Sequence, residues 1–181
     1  KSIEQFVVDL ERTEHLGAEY LVTHLGSASG KDPAWMIERV SSALNMAMKL
    51  HSPKATILLE NTAGEKGDVG YELEQVRDVI GRLRDSSRIG ICYDTCHGFA
   101  AGYDIRTEKG VDSLAKKIDE TVGHGRLKGM HLNDCLRDFN SRVDRHWHIG
   151  EGKIGLDGFK ALLNHPKFKD VPMIMETPKE T

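Results

Sequence analysis

The chain has 181 residues, with 25 Lys+Arg against 28 Asp+Glu, 9 His, 3 Cys, 39% hydrophobic and 29% charged residues, and a formal net charge of −3. This balance excludes intrinsic disorder, a collagen-like repeat and a disulfide scaffold, and carries no global basic signature of nucleic-acid binding. No apolar run approaches the roughly 20 residues of a membrane span, so no membrane partner is expected.

The chain opens in a helical pattern, Ile3–Leu10, with Phe6, Val7 and Leu10 on one face. A first strand is expected over Tyr20–Leu25. Asp32-Pro33 then offers an N-cap before a first-turn proline, and Met36, Val40, Leu44 and Ala47 run down one helix face. The Met-rich stretch Met36–Met48 reads as that core-facing helix. A second strand follows at Thr56–Glu60, and Leu73, Val76, Ile80 and Leu83 recur at helical spacing. Ile89–Asp94 is the third strand. Asp112 or Ser113 is expected to cap the helix carrying Leu114, Ile118 and Val122. A fourth strand is expected at Gly129–Asn133, a helix capped by Asp157 carries Phe159, Leu162 and Leu163, and a fifth strand covers Pro172–Thr177. Apolar strands alternating with amphipathic helices imply βαβ units, a parallel sheet and one domain over residues 1–181. No glycine fingerprint of dinucleotide binding follows the first strand. The pattern therefore favours a (β/α)₈ TIM barrel, which needs about 250 residues, with this chain carrying about five of eight units. Cys92, Cys96 and Cys135 match neither a zinc-ribbon nor a redox spacing and read as reduced, partly buried thiols.

Each expected strand ends in or near a metal-type ligand: His24 in LVTHLGS, Glu60 in ILLENTAG, Asp94 in GICYDTCH, His131 in GMHLND and Glu176 in MIMETP. Successive intervals are 36, 34, 37 and 45 residues, one βα unit each. In a parallel barrel all five reach one mouth, at the carboxyl ends of the strands. A lone strand-end His or Glu is commonly structural, but five in phase would crowd one another without a cation. His97 follows Asp94 by three. Asp144 and His146 flank Arg145 in VDRHWH, a spacing that puts both on one face of an extended segment. Two imidazoles and a carboxylate suit Zn²⁺. Eight candidates exceed the four ligands of one such ion, so two or three ions are expected, with Glu60 or Glu176 able to bridge. Clustered cations suit hydrolysis of a phosphate diester and supply positive charge that the composition lacks.

The runs HLGS, ENTAGEKGDVG, YDTCHGFAAGYDI, GMHLNDC, VDRHWHIGEGKIG and METP resemble, in order, the motifs of the endonuclease IV family of zinc-dependent apurinic/apyrimidinic endonucleases. The resemblance implies a TIM barrel, of which this chain would hold strands 4 to 8, and three Zn²⁺ ions, with Mn²⁺ as a possible substitute. It places His24 on the first ion and Glu60 between the first two. Asp94, His131 and Glu176 belong to the second, and His97, Asp144 and His146 to the third. The implied reaction is hydrolysis on the 5′ side of an abasic site in double-stranded DNA. Glu60 would orient or deprotonate the attacking hydroxide, and Arg145 would contact the DNA backbone. A monomer, cytoplasmic or nuclear, is expected. Two departures stand out: Leu25 replaces the proline of the family's His-Pro-Gly-Ser, and a further first-ion His is expected from units upstream. Two alternatives remain open. One is a sugar isomerase or epimerase holding one Mn²⁺ or Mg²⁺ on Glu60, Asp94, His131 and Glu176, and the other is an inactive fragment.

Overall fold

The computed structural model describes residues 2–179. In chain order the elements are α1 (Ser2–His15), β1 (Tyr20–His24), α2 (Pro33–Leu50), β2 (Thr56–Glu60), α3 (Leu73–Gly81), β3 (Ile89–Asp94), α4 (Thr95–Ala101), α5 (Glu108–Thr121), β4 (Leu127–His131), β5 (Asp134–Cys135), β6 (His146–Trp147), α6 (Gly155–Asn164) and β7 (Met173–Ile174). Short 3₁₀ turns lie at Glu65–Gly67 and His124–Arg126. Strands β1, β2, β3, β4 and β7 pair in that order, all in parallel. Helices α1, α2, α3, α5 and α6 pack on one side, each against the next.

Register explains why the polar strand ends share a face. His24 pairs with Glu60, Glu60 with Cys92, Asp94 with His131, and His131 with Ile174. Strand side chains alternate with a period of two, so Asp94, two residues past Cys92, returns to the face of Glu60. Glu176, two past Ile174, is in the same phase. This stagger is the shear that tilts strands in a barrel. On the opposite face Ile57, Leu59, Ile91, Tyr93 and Met130 join the main core with Val76, Val79, Leu114, Ile118, Phe159 and Leu162. On the inner face Leu58 is 1% exposed. It fills the space over Gly90 and Gly129, where an added Cβ would lie 2.8 and 3.4 Å from its methyls.

Strands β2 and β3 are buried along nearly their whole length, as two-faced parallel strands should be. β1 is only half-buried, because it is an edge of the described sheet. Thr107, not Asp112 or Ser113, caps α5: its hydroxyl accepts the Gly110 N–H at 3.1 Å, starting the helix one turn earlier. Helix α6 begins at Gly155, so Asp157 sits in its first turn, and the N-cap residue, Ile154, has no capping side chain. Leu163 of that helix is exposed rather than packed. The fourth strand runs over Leu127–His131 rather than Gly129–Asn133, and the fifth shrinks to Met173–Ile174, leaving Glu176 beyond it. α4 and the antiparallel pair β5–β6 have no counterpart among the expected elements. The Met-rich α2 faces the core through Met36 and Met48 but exposes Met46. All three cysteines are free and buried.

Candidate metal centre

At the carboxyl ends of the strands the eight predicted side chains converge. Glu60, 4% exposed, lies at the centre. Its Oε2 is 3.1 Å from His24 Nε2, and its Oε1 is 2.8 Å from His131 Nδ1. The two carboxylate oxygens thus face two different imidazoles. Glu176 Oε2 approaches His131 Nδ1 from the other side, at 3.1 Å. Asp94, fully buried, caps α4 by accepting the His97 N–H at 2.8 Å, which turns His97 back over the mouth. His97 Nε2 then lies 3.1 Å from Asp144 Oδ2 and 3.3 Å from His146 Nε2, and His146 Nε2 lies 3.3 Å from Asp144 Oδ1.

Hydrogen bonds orient the rings. His97 Nδ1 donates to the Asn61 carbonyl at 2.9 Å, and His146 Nδ1 to the Glu176 carbonyl at 3.3 Å. Both Nε2 atoms therefore point at each other and at Asp144, where only a proton or a cation relieves lone-pair repulsion. A tetrahedral zinc site with bonds near 2.0–2.1 Å separates its nitrogen and oxygen ligands by about 3.4 Å, close to the spacing of this triad.

The ion-free electrostatics carry the same message. Burial opposes charge on Glu60, but hydrogen bonds from His131 and His24 outweigh it and lower its pKa to about 2. Burial likewise opposes charge on His97, yet Asp94 and Asp144 push it up to about 9. Hydrogen bonds to Cys92 and Glu60 push His131 up to about 11. The hydrogen bond to Glu60 also raises His24. Protons thus occupy positions between carboxylates that divalent ions also suit.

Grouped by ligand atoms within 4.8 Å of one another, the clusters are Glu60, Asp94, His131 and Glu176; His24, Glu60 and His97; Asp94, His97 and His146; and Cys96, Asp144 and His146. The first matches the expected second-ion set with Glu60 added. His97 differs from expectation by also approaching His24 and Glu60. Arg145 lies outside the cluster, half-exposed, 3.4 Å from Glu65 Oε2.

Motif reading missed the residues that hold these ligands. The Asn61 carboxamide exchanges hydrogen bonds with the Asp94 main chain, at 2.7 and 3.1 Å. Asn133 donates to Asp94 Oδ2 at 2.6 Å and accepts the Glu176 N–H at 2.8 Å. The signal was a buried-type position filled by Asn directly after Glu60 in ENTAG and two residues after His131 in HLND. Asn there has no packing reason.

A parallel β/α sheet with carboxylates and imidazoles gathered at the strands' carboxyl ends defines a barrel-type scaffold with a candidate metal site. Residues 1–181 match the family described as xylose isomerase-like TIM barrel. The chain belongs to that family. It is 45% identical over 179 residues to a probable endonuclease 4 of Methanoculleus marisnigri, covering 98% of this chain and 64% of that protein. The crystal structure of endonuclease IV from Thermus thermophilus superposes with a TM-score of 0.85 at 35% identity, over 99% of this chain and 62% of that one. A D-tagatose 3-epimerase-like protein gives a TM-score of 0.71 at 22% identity, over 96% of this chain and 61% of that one, a likeness of fold alone. The chain thus spans less than two thirds of these relatives. The endonuclease IV resemblance read from the motifs agrees with the names of the similar proteins. Among the described residues, no helix is long and apolar enough to cross a membrane.

Proposed function

We propose that the protein is an apurinic/apyrimidinic endonuclease of DNA repair, acting as a monomer and hydrolysing the phosphodiester 5′ to an abasic site in double-stranded DNA with a trinuclear zinc centre. The observation that carries this reading is the His97–Asp144–His146 triad beside the Glu60 cluster. A one-ion barrel has no use for it. The fit is chemical: neutral-nitrogen and carboxylate donors, tautomers set by main-chain carbonyls, and a glutamate with each oxygen facing its own imidazole. His24 with Glu60 would hold the first ion. Asp94, His131 and Glu176 with Glu60 would hold the second, and His97, Asp144 and His146 the third.

When bound, such ions would supply Lewis acidity to a phosphate diester and acidify a water molecule. The side chains do the rest. Glu60, with one oxygen facing each of two imidazoles, would orient or deprotonate the attacking water. Arg145 and the highly exposed Lys66 both face Glu65 in a groove also lined by Ser27, Ser29, Asp68 and Asp144, so a DNA phosphate would compete with that carboxylate for the two cations.

A second reading has one specific observation in its favour. Glu60, Asp94, His131 and Glu176 alone form a complete four-ligand set, as a sugar isomerase or epimerase holding one Mn²⁺ or Mg²⁺ would need. The deciding experiment measures ions per chain by elemental analysis. It also assays cleavage of a duplex bearing one abasic analogue, by this chain and by a form extended to its relatives' length. Two or three ions, with cleavage 5′ to the lesion by the extended form, support the nuclease. One ion and no cleavage would overturn it.

A further inference from the structure

No motif reading gives Glu65 a role, yet it joins two loops of the mouth. It lies in the 3₁₀ turn that follows β2, with its side chain 22% exposed. Its Oε2 accepts the backbone N–H of Asp144 at 3.0 Å and lies 3.4 Å from Arg145 Nη1. Lys66 Nζ stands 3.7 Å from the other oxygen. Asp144 belongs to no strand or helix, and Arg142, two residues before it, has a left-handed backbone with φ of 56°. The segment entering the triad is therefore irregular, and regular pairing begins only at His146. Its other main-chain ties include Asn140 N–H to the Phe99 carbonyl at 3.1 Å, Arg142 N–H to the Ala100 carbonyl at 3.0 Å and Leu136 N–H to the Arg145 carbonyl at 2.9 Å. None of these engages Asp144, whose carbonyl accepts from the guanidinium of Arg145, the side chain that Glu65 also faces.

We propose that Glu65 is a positioning residue for the His97–Asp144–His146 group. By holding the Asp144 N–H, it fixes the main chain from which that carboxylate spans the two imidazoles. The inference rests on the proposed ion site. The interaction needs an acceptor oxygen at this place, not a full charge, which separates Glu65 from a surface salt bridge to Arg145. Partners of ligands typically change metal affinity by about 10–100-fold when removed.

The test uses Glu65→Ala, Glu65→Gln and, as control, Lys66→Ala. Zn²⁺ affinity is measured site by site in competition with a chromophoric chelator, and amide exchange at Asp144 is followed in the ion-free chain. We expect Glu65→Ala to weaken one site by about tenfold or more, spare the others and speed exchange at Asp144. Glu65→Gln keeps an acceptor oxygen and should restore both readouts, and Lys66→Ala should change neither. Unchanged affinity in Glu65→Ala, equal loss at every site, or a Gln variant as impaired as Ala overturns the proposal. A form extended to its relatives' length that takes up no ion refutes the proposed function instead. The exchange readout then decides alone whether Glu65 holds Asp144.

Discussion

Asp134→Asn is close to isosteric, yet the structure predicts it to be severe. Asp134 is fully buried at the start of β5. Oδ1 accepts the N–H groups of Cys135 at 2.8 Å and Ile154 at 2.9 Å. Oδ2 accepts those of Gly150 at 3.0 Å, Gly152 at 3.1 Å and Gly155 at 3.2 Å. Every partner is a donor. An asparagine must turn its NH₂ toward one of these sets, and the less costly choice faces Cys135 and Ile154. Two charge-assisted bonds are then lost, at about 1.5–3 kcal/mol each, or about 3–6 kcal/mol together. Relief from burying a charge offsets part of this, and donor–donor repulsion adds to it. The room to adjust is small, since a Cβ on Gly152 would already lie 2.5 Å from Oδ1. Against the 5–15 kcal/mol typical of a domain, the loss should be plain in urea unfolding at pH 7, as a lower midpoint with an unchanged slope. A variant within about 1 kcal/mol of the parent would refute the reasoning, because it would mean the loop Gly150–Gly155 does not depend on this carboxylate.

Tyr93 Oη is buried without a hydrogen-bond partner among the described residues, so Tyr93→Phe should be neutral or stabilising in thermal unfolding; a loss above about 1 kcal/mol would reveal a hidden partner. Gly98→Ala should instead destabilise by about 1–3 kcal/mol despite its better helix propensity, because the new Cβ would lie 1.9 Å from Tyr93 Oη; a melting temperature at or above the parent's would contradict the packing. Ion uptake at pH 7 should release protons, since His97 titrates at about 9 and His131 at about 11 in the ion-free chain while imidazole ligands must be neutral. Calorimetric heats should vary with buffer ionisation enthalpy and affinity should climb from pH 6 to 9, whereas buffer-independent heats would count against this picture. In the ion-free chain the His97 contribution to stability should be complete below its ordinary pKa of 6.5 and fade as pH rises through about 9.

Strand and helix positions were legible because burial sets their periodicity. Runs such as Ile57–Leu59 and Ile89–Tyr93 admit few readings, and the phase of His24, Glu60, Asp94 and His131 follows from the parallel register. Boundaries decided by hydrogen bonds between distant residues were not legible. Asp112 looks like a cap, but Thr107 lies where the chain leaves the loop, and the Gly110 N–H is within its reach. Asp157 looks like another, yet the helix starts earlier because Asp134, 21 residues upstream of Gly155, gathers the N–H groups there. The pair β5–β6 is only two residues long on each side, too short for alternation to register. Asn61, Asn133 and Glu65 escaped notice for a related reason: each bonds a main-chain group of another segment, which carries no residue identity.

The mouth is built on two supports with different physics. Glu60, Asp94 and His131 ride on paired strands, Glu176 follows β7 in phase, and together they form one four-ligand group. On the proposed function, further capacity would come from an annex, His97 on α4 and Asp144 and His146 around β6, joined to the sheet through side chains rather than a β ladder. Asp134 pins the segment that follows β6, Glu65 pins the one that precedes it, and Asp94 links both supports as a cluster member and the cap of α4. Changes in the annex should therefore alter the number of ions without disturbing the sheet, whereas changes at Asp94 should disturb both. On the proposed function, the passage from a one-ion to a several-ion mouth would depend on how firmly two acidic side chains hold an irregular loop.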